Sequence, residues 1–336
     1  MFSHIRGESE SETGHVVSLV ELFVKARINS EFSVFATPGF YTFNGALLDN
    51  PASPTVNGDP LYTADSATVE NLFVSRIYGE WAPSDSLRVQ GGVVGSPHGV
   101  TNREYFIPSR VIAQSNLHTR VFLTNQLYPQ YLEGLKASGK LLVGDTDWVE
   151  YDAYVGYQPD NPADEMVGAR IGYAFREVGV TVAANYGAGN RAGSASPATN
   201  FGVLQSPFAP DVNGTRDYQF GGVDFDLRTE NLTFRGEAYY SGEDGYLDQR
   251  ALSAETTWYP SAEWGLSYRF DYYDAGSDVN VFVAAVRPRG ISTEHVIGCC
   301  YNPNPSVRFR LDFHHNNLPN TSDTVDYVNL SWSFSF

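Results

Sequence analysis

The chain has 336 residues and carries 39 Asp plus Glu against 22 Lys plus Arg, a formal charge of −17. That balance excludes nucleic acid as a partner, because phosphate binding needs a basic surface. No run approaches the roughly 18 apolar residues of a membrane helix, which excludes helical spanning but not a barrel, in which only every second residue meets lipid.

In chain order, Met1 is followed at once by FSHIRG and no signal peptide is visible, which leaves a cytosolic protein or a mature form. The expectation is a mature form carrying an added methionine. Acidic GESESETG comes next. Period-2 alternation then recurs over 16–26, 31–42, 67–81, 86–95, 131–143, 148–158, 166–176, 179–188, 217–228, 231–242, 249–259, 264–275, 292–301, 306–316 and 325–336. Short connections lie at 27–30, 82–85, 144–147, 177–178, 229–230, 260–263 and 302–305. Long or polar ones lie between them at 43–66, 96–130, 159–165, 189–216, 243–248, 276–291 and 317–324. Short turns at one end and long loops at the other predict an all-β, transmembrane antiparallel barrel. A soluble sandwich has no such parity. These fifteen segments need an even partner count, so 2–7 is taken as a first strand closing against the last, giving 16; the count is 14 if 2–7 is a tail. One domain then covers 1–336.

Aromatic residues give a separate check. Trp81, Trp148, Trp258 and Trp264 sit beside short turns, joined by Tyr259 and Tyr301, whereas Trp332 does not. A bilayer interface selects such rings, which are apolar with a wet edge.

Alternation also assigns faces. In SVRFRLDFHH, Val307, Phe309, Leu311 and Phe313 point to lipid, and Arg308, Arg310, Asp312 and His314 point inward. In WGLSYRFDYY, Leu266, Tyr268, Phe270 and Tyr272 point out, and Ser267, Arg269, Asp271 and Tyr273 point in. The same rule turns Arg76, Arg88, Lys136, Lys140, Glu150, Asp152, Arg170, Arg176, Arg235 and Glu237 inward, since charge at membrane depth is tolerated only away from lipid. A barrel of sixteen strands is too wide for side chains to fill and holds water.

The 96–130 connection is far longer than a link between neighbours needs. It is apolar at Tyr105, Phe106, Ile107, Val111, Ile112, Val121, Phe122 and Leu123. It is expected to fold into the barrel, with Arg103, Glu104, Arg110, His118 and Arg120 setting a constriction. The alternative is a cap on the outer mouth. Arginines facing carboxylates across a narrow lumen create a transverse field that discriminates ions. Acids crowd GESESETG, PDNPADE, SGEDGYLD and the stretch around Asp274, Asp278 and Glu294, all expected at the external rim. Plain solvation accounts for them. The sharper reading is weak Ca2+ binding at Glu243, Asp244 and Asp248, although the EF-hand spacing is absent. No other cofactor is expected.

The terminal LSWSFSF, the long connection after the fifth strand and the alternation of short turns with long loops resemble the Gram-negative outer-membrane porins of sixteen strands. The resemblance implies a third external loop folded inward as the constriction. It also implies association of three barrels, contact with outer-membrane lipid or lipopolysaccharide, and a Phe336 presented to the assembly machinery. LRVQGGVVGSPHGV, QLYPQYLEGLKASGK and YNPNPSVRFRLDFHHNN are similar to the phosphate-selective porin-like branch. Carboxylates interleaved with the basic residues depart from the arginine ladder of an oxyanion-selective pore. The function expected is a passive, weakly cation-preferring channel for ions and small hydrophilic solutes. The alternatives are a substrate-selective anion porin or a plugged barrel used for adhesion or assembly. Small-residue walls at 168–172 or 180–184 are candidate subunit contacts.

Enzymatic chemistry finds little support. A barrel phospholipase needs a Ser–His pair, yet Ser292 and His295 lie three apart on one strand and face opposite ways. Cys299 and Cys300 are adjacent on a strand, so they diverge and stay unbridged. His314 and His315 also diverge, which removes a shared metal.

Overall fold

The computed structural model describes residues 2–8, 15–21, 24–45, 55–56, 59–60, 67–103, 127–158, 161–192, 215–243, 247–274, 291–304, 306–317 and 324–334. Among these, one antiparallel sheet has sixteen staves. They are β1 (Phe2–Glu8), β2 in two parts (His15–Glu21 and Val24–Arg27), β3 (Phe32–Gly45), β4 (Ala67–Ser84), β5 (Leu87–Gly95) and β6 (Tyr131–Val143). Then come β7 (Asp147–Gln158), β8 (Asn161–Phe175), β9 (Val180–Ala192), β10 (Thr215–Arg228) and β11 (Leu232–Glu243). The last are β12 (Leu247–Trp258), β13 (Trp264–Asp274), β14 (Ile291–Asn304), β15 (Val307–Asn317) and β16 (Thr324–Phe334). Both parts of β2 pair with β3 and so count as one stave.

Each strand pairs with the next, and β1 pairs with β2 on one side and β16 on the other. Phe2 lies opposite Ser333 and Gly7 opposite Val328. The sheet is therefore a closed barrel with no free edge, and the short first stave that the even count demanded is present.

Two expected loops are mostly strand. The acidic PDNPADE is taken up by β8, which starts at Asn161 and pairs back onto Gln158. In SGEDGYLD, Glu243 ends β11 and Leu247 begins β12. Edge polarity had masked the strand ends there. At the other end of the barrel the turns are tight: the Asn29 carboxamide accepts the Glu31 and Phe32 amides at 2.8 Å each.

The two faces separate as alternation requires. On β13, Leu266 is 46% exposed while Arg269 and Asp271 are fully buried; on β15, Leu311 is 48% exposed while Asp312 and His314 are fully buried. A soluble protein does not carry an apolar belt of this extent. On β8 the outward Val167, Ile171 and Phe175 span about 27 Å of strand, or about 20 Å of height at a tilt of ~40°, close to the apolar band of a membrane barrel.

Trp81, Trp258, Trp264 and Tyr301 point outward at the short-turn end; Trp264 packs on Tyr301 at 4.8 Å and Trp81 stacks on Phe32 at 6.3 Å. Two aromatic assignments need correction. Trp148 shares the parity of Glu150 and donates to it at 3.1 Å, so it faces the lumen. Tyr259 lies among the inward Arg235, Cys300 and Arg308, so it too faces the lumen rather than the interface.

The barrel interior has an apolar core of its own. Val94, Leu127, Tyr128, Leu132, Tyr154, Met166, Tyr218, Phe220, Tyr239, Ala251 and Tyr273 pack together inside it. Gly187 leaves room for this core, since a Cβ there would strike the Phe220 ring.

Candidate functional site

The site begins where the long connection leaves β5 and returns to β6. Both of its roots turn into the barrel. Ser96, Pro97, His98, Gly99 and Val100 are buried, as are Leu127, Tyr128, Pro129 and Gln130. Ser96 donates its amide to the Gln130 carbonyl at 2.9 Å, tying the two roots together. A short helical turn, α1 (Val100–Arg103), follows.

The first root runs inside the barrel to the wall formed by β7, β9, β10 and β11. His98 is completely buried, with its ring edge on Phe220 at 4.6 Å and on Tyr154 at 5.3 Å. Its Nδ1 lies 3.1 Å from the Asn185 Oδ1 and its Nε2 3.0 Å from the Tyr154 hydroxyl. Asn185 spends its NH2 group on Asp224 at 2.8 Å, which leaves its oxygen to accept. His98 Nδ1 therefore carries the proton, and Nε2 accepts from Tyr154. The Gly99 amide donates to the Tyr239 hydroxyl at 2.7 Å. Gly99 has φ +72°, and a Cβ there would lie 2.5 Å from the Glu237 carboxylate; only glycine fits. From the second root, the Leu127 carbonyl accepts from the Tyr218 hydroxyl.

Charged groups on the wall surround these roots. Arg170 makes a two-pronged pair with Asp224 at 2.8 and 3.1 Å, and both side chains are buried. Glu150 gathers Lys140 at 2.9 Å, Arg170 at 3.4 Å and Arg103 of α1 at 3.6 Å. Glu80 takes Lys25 at 3.0 Å, Gln90 at 2.9 Å and Arg88 at 3.5 Å. Lys136 donates to the Gly95 carbonyl at 3.0 Å. On the other side, Arg269 lies against Asp271 at 2.9 Å and Glu255 at 3.7 Å, and His314 against Glu294 at 2.8 Å.

The lumenal charges are not evenly mixed. Among the described side chains of β2–β8 and α1, Lys25, Arg76, Arg88, Arg103, Lys136, Lys140 and Arg170 outnumber Glu80, Glu150 and Asp152. Among those of β10–β15, Asp224, Asp226, Glu237, Glu255, Asp271, Glu294 and Asp312 outnumber Arg228, Arg235, Arg269, Arg308 and Arg310. In a closed barrel these arcs face each other.

The sequence-assigned groups fall into three sets. Arg76, Arg88, Lys136, Lys140, Glu150, Asp152, Arg170, Arg235, Glu237, Arg269, Asp271, Arg308, Arg310 and Asp312 lie on the inner face, and Arg103 reaches it from the loop root. Glu104, Arg110, His118 and Arg120 lie outside the described residues, as do the apolar loop positions 105–123. Of the calcium candidates, Asp244 and the Glu243 side chain also lie outside them, and Asp248 accepts from the outward Tyr240 at 2.7 Å. Glu294 is a correction: it is not on an external rim but buried inside, on His314, because its parity on β14 is inward.

Some of the site was missed. Asp224, Asp226 and Glu255 alternate with apolar neighbours just as Glu237 does, so the signal was there. His98 carried none: nothing in SPHG says that it reaches Asn185, nearly ninety residues away.

No protein-family model and no curated protein matches the chain. Solved structures do match in fold. OmpF of Salmonella typhi in complex with daunomycin aligns with a TM-score of 0.64 at 12% identity, covering 99% of this chain and 95% of that one. OmpT, an outer-membrane protein of Vibrio cholerae, aligns at 0.60 with 10% identity, covering 100% and 95%. An anion-selective porin from Comamonas acidovorans aligns at 0.55 with 10% identity, covering 100% and 98%. At these identities the likeness shows the fold alone, a closed antiparallel β-barrel over the whole chain.

Proposed function

We propose that the protein is an outer-membrane porin, a water-filled channel through which ions and small hydrophilic solutes diffuse passively. One observation carries the reading: a closed barrel with an apolar outer belt has an inner face lined by opposed basic and acidic arcs. Such arcs set up a transverse field, which orients dipolar solutes and discriminates weakly between ions. The net charge of −17 favours cation entry, and a small cation preference is expected. A homotrimer in contact with lipopolysaccharide fits this reading, and among the similar structures OmpT of Vibrio cholerae is described in a trimer form.

A second reading, a barrel with an obstructed lumen, draws on a different observation. Arg269, Asp271, Glu294, Asp312 and His314 have no exposed surface, although an open lumen would wet them. Planar-bilayer recording separates the two. Discrete conductance steps, with a reversal potential of cation sign in a salt gradient, are expected of the channel. Silence from folded, heat-modifiable protein would reject it in favour of the obstructed barrel.

A further inference from the structure

In the first root of the 96–130 connection one ring, that of His98, reaches β7, β9 and β10 together. His98 is the single ordinarily titrating group in the Ser96–Gly99 segment, and it has no access to water. Both ring nitrogens are committed, Nδ1–H to Asn185 and Nε2 to the Tyr154 hydroxyl. The next residue, Gly99, makes the following anchor, its amide on Tyr239. A second proton on the ring would put a cation in a pocket walled by Phe220 and Tyr154.

We propose that His98 is an acid-sensitive latch: protonation of its ring releases the first root of the 96–130 connection from the β7–β10 wall of the barrel. The consequence for pore width rests on the channel reading above; the latch itself does not.

The surroundings decide the sign. Burial is the largest influence and holds the ring neutral, pushing its pKa down to about 3. Asp224 favours the charged ring through space, and Arg170 and Lys136 oppose it. Asp224 is itself matched by Arg170 at 2.8 Å, and Glu237 lies beside Gly99 rather than beside the ring. The released root carries an ordinary histidine near 6.5. A depressed pKa in the docked state means that docking is complete above pH ~6.5 and is lost progressively as the pH falls toward 3. At pH 5 the docking equilibrium is weakened roughly 30-fold.

Hydrogen exchange reads this without requiring a pore. Folded full-length protein in lipid is exchanged at pH 7.5 and 5.0, each corrected for intrinsic rates, and the peptide spanning 96–103 is followed. In the wild type, protection of these amides falls by up to about 30-fold at pH 5. In His98→Gln, whose amide also accepts from Tyr154 and donates to Asn185 but cannot be protonated in this range, protection stays level. Equal protection of the wild type at both pH values, or the same fall in His98→Gln, overturns the latch. If His98→Gln fails to give a heat-modifiable barrel, the wild-type profile decides. A one-proton decline beginning near pH 6.5 supports the latch, and a flat profile overturns it. Bilayer recording on the same samples separates the two proposals. Exchange that depends on His98 in a silent barrel sinks the channel and leaves the latch. Conductance with flat exchange sinks the latch and leaves the channel.

Discussion

Replacing Glu150 by Gln tests the lumenal charge arrangement most directly. Glu150 is the carboxylate on which Lys140, Arg170 and Arg103 converge, at 2.9, 3.4 and 3.6 Å. Gln keeps the volume and can still accept from Trp148 Nε1, which sits at 3.1 Å. Arg170 stays held by Asp224, so the change is chiefly one lost negative charge beside Lys140 and Arg103. A unit charge ~6 Å from a passing ion contributes about 0.7 kcal/mol in water, and screening at 0.1 M salt lowers this to about 0.4 kcal/mol. The loss acts oppositely on cations and anions. The cation-to-anion permeability ratio should therefore fall roughly fourfold, since 1.36 kcal/mol corresponds to a factor of ten. Reversal potentials in a tenfold KCl gradient measure it. Glu133→Gln, on the outward face of β6, removes the same charge away from the lumen and should leave the ratio unchanged. An unaltered ratio in Glu150→Gln, or an equal shift in both variants, would refute the assignment of Glu150 to the ion path.

Three further outcomes are expected. Leu311→Arg places a charge on the outward face between Phe309 and Phe313, and should cost about 2–4 kcal/mol in denaturant unfolding from vesicles; a loss below ~0.5 kcal/mol would mean that this face does not meet lipid. Arg170→Met strands Asp224 in a buried site and should destabilise by about 3–5 kcal/mol, with Arg170→Met/Asp224→Leu recovering most of it; equal losses in the single and double variants would deny the pairing. Cys299 faces outward and Cys300 is 1% exposed on the inner face, so an impermeant maleimide should label neither until the barrel is unfolded, and oxidation should form no bridge between them. Prompt labelling of Cys300 in the folded barrel would contradict its burial.

Much of the fold was legible because a membrane barrel forces strict alternation. Ser-Val-Arg-Phe-Arg-Leu-Asp-Phe-His-His could be read residue by residue, since any slip would carry Arg308 or Arg310 into lipid. The tight turns at one end were legible too, whereas two connections read as long or polar, between β7 and β8 and between β11 and β12, are nearly as short as those turns. Legibility failed where polarity was mistaken for a loop, at 161–165, the first residues of β8, because a strand rising out of the membrane no longer needs apolar outward residues. It failed again at Trp148, where closeness to a turn was taken for an outward face, although the parity with Glu150 already pointed inward. It also failed at His98, whose role depends on partners spread over β7, β9 and β10.

The same groups hold the connection and form the lumenal field, and that limits how independently the two can vary. Asp224 belongs to the acidic arc, yet it fixes the Asn185 amide whose oxygen receives His98. Glu150 belongs to the basic arc, yet it receives Arg103 from the loop root. Buried charge is tolerated only when paired, so each lumenal ion is also a structural constraint on what crosses the lumen. A substitution that alters selectivity through Asp224 must loosen the His98 anchor as well, whereas one at Arg308, which bonds Asn302 near the short-turn end, should change the field and leave the anchor in place. Comparing exchange of the 96–103 peptide in Asp224→Asn and Arg308→Gln would expose that asymmetry: lowered protection in the first alone is the outcome this coupling requires, and equal protection in both would dissolve it.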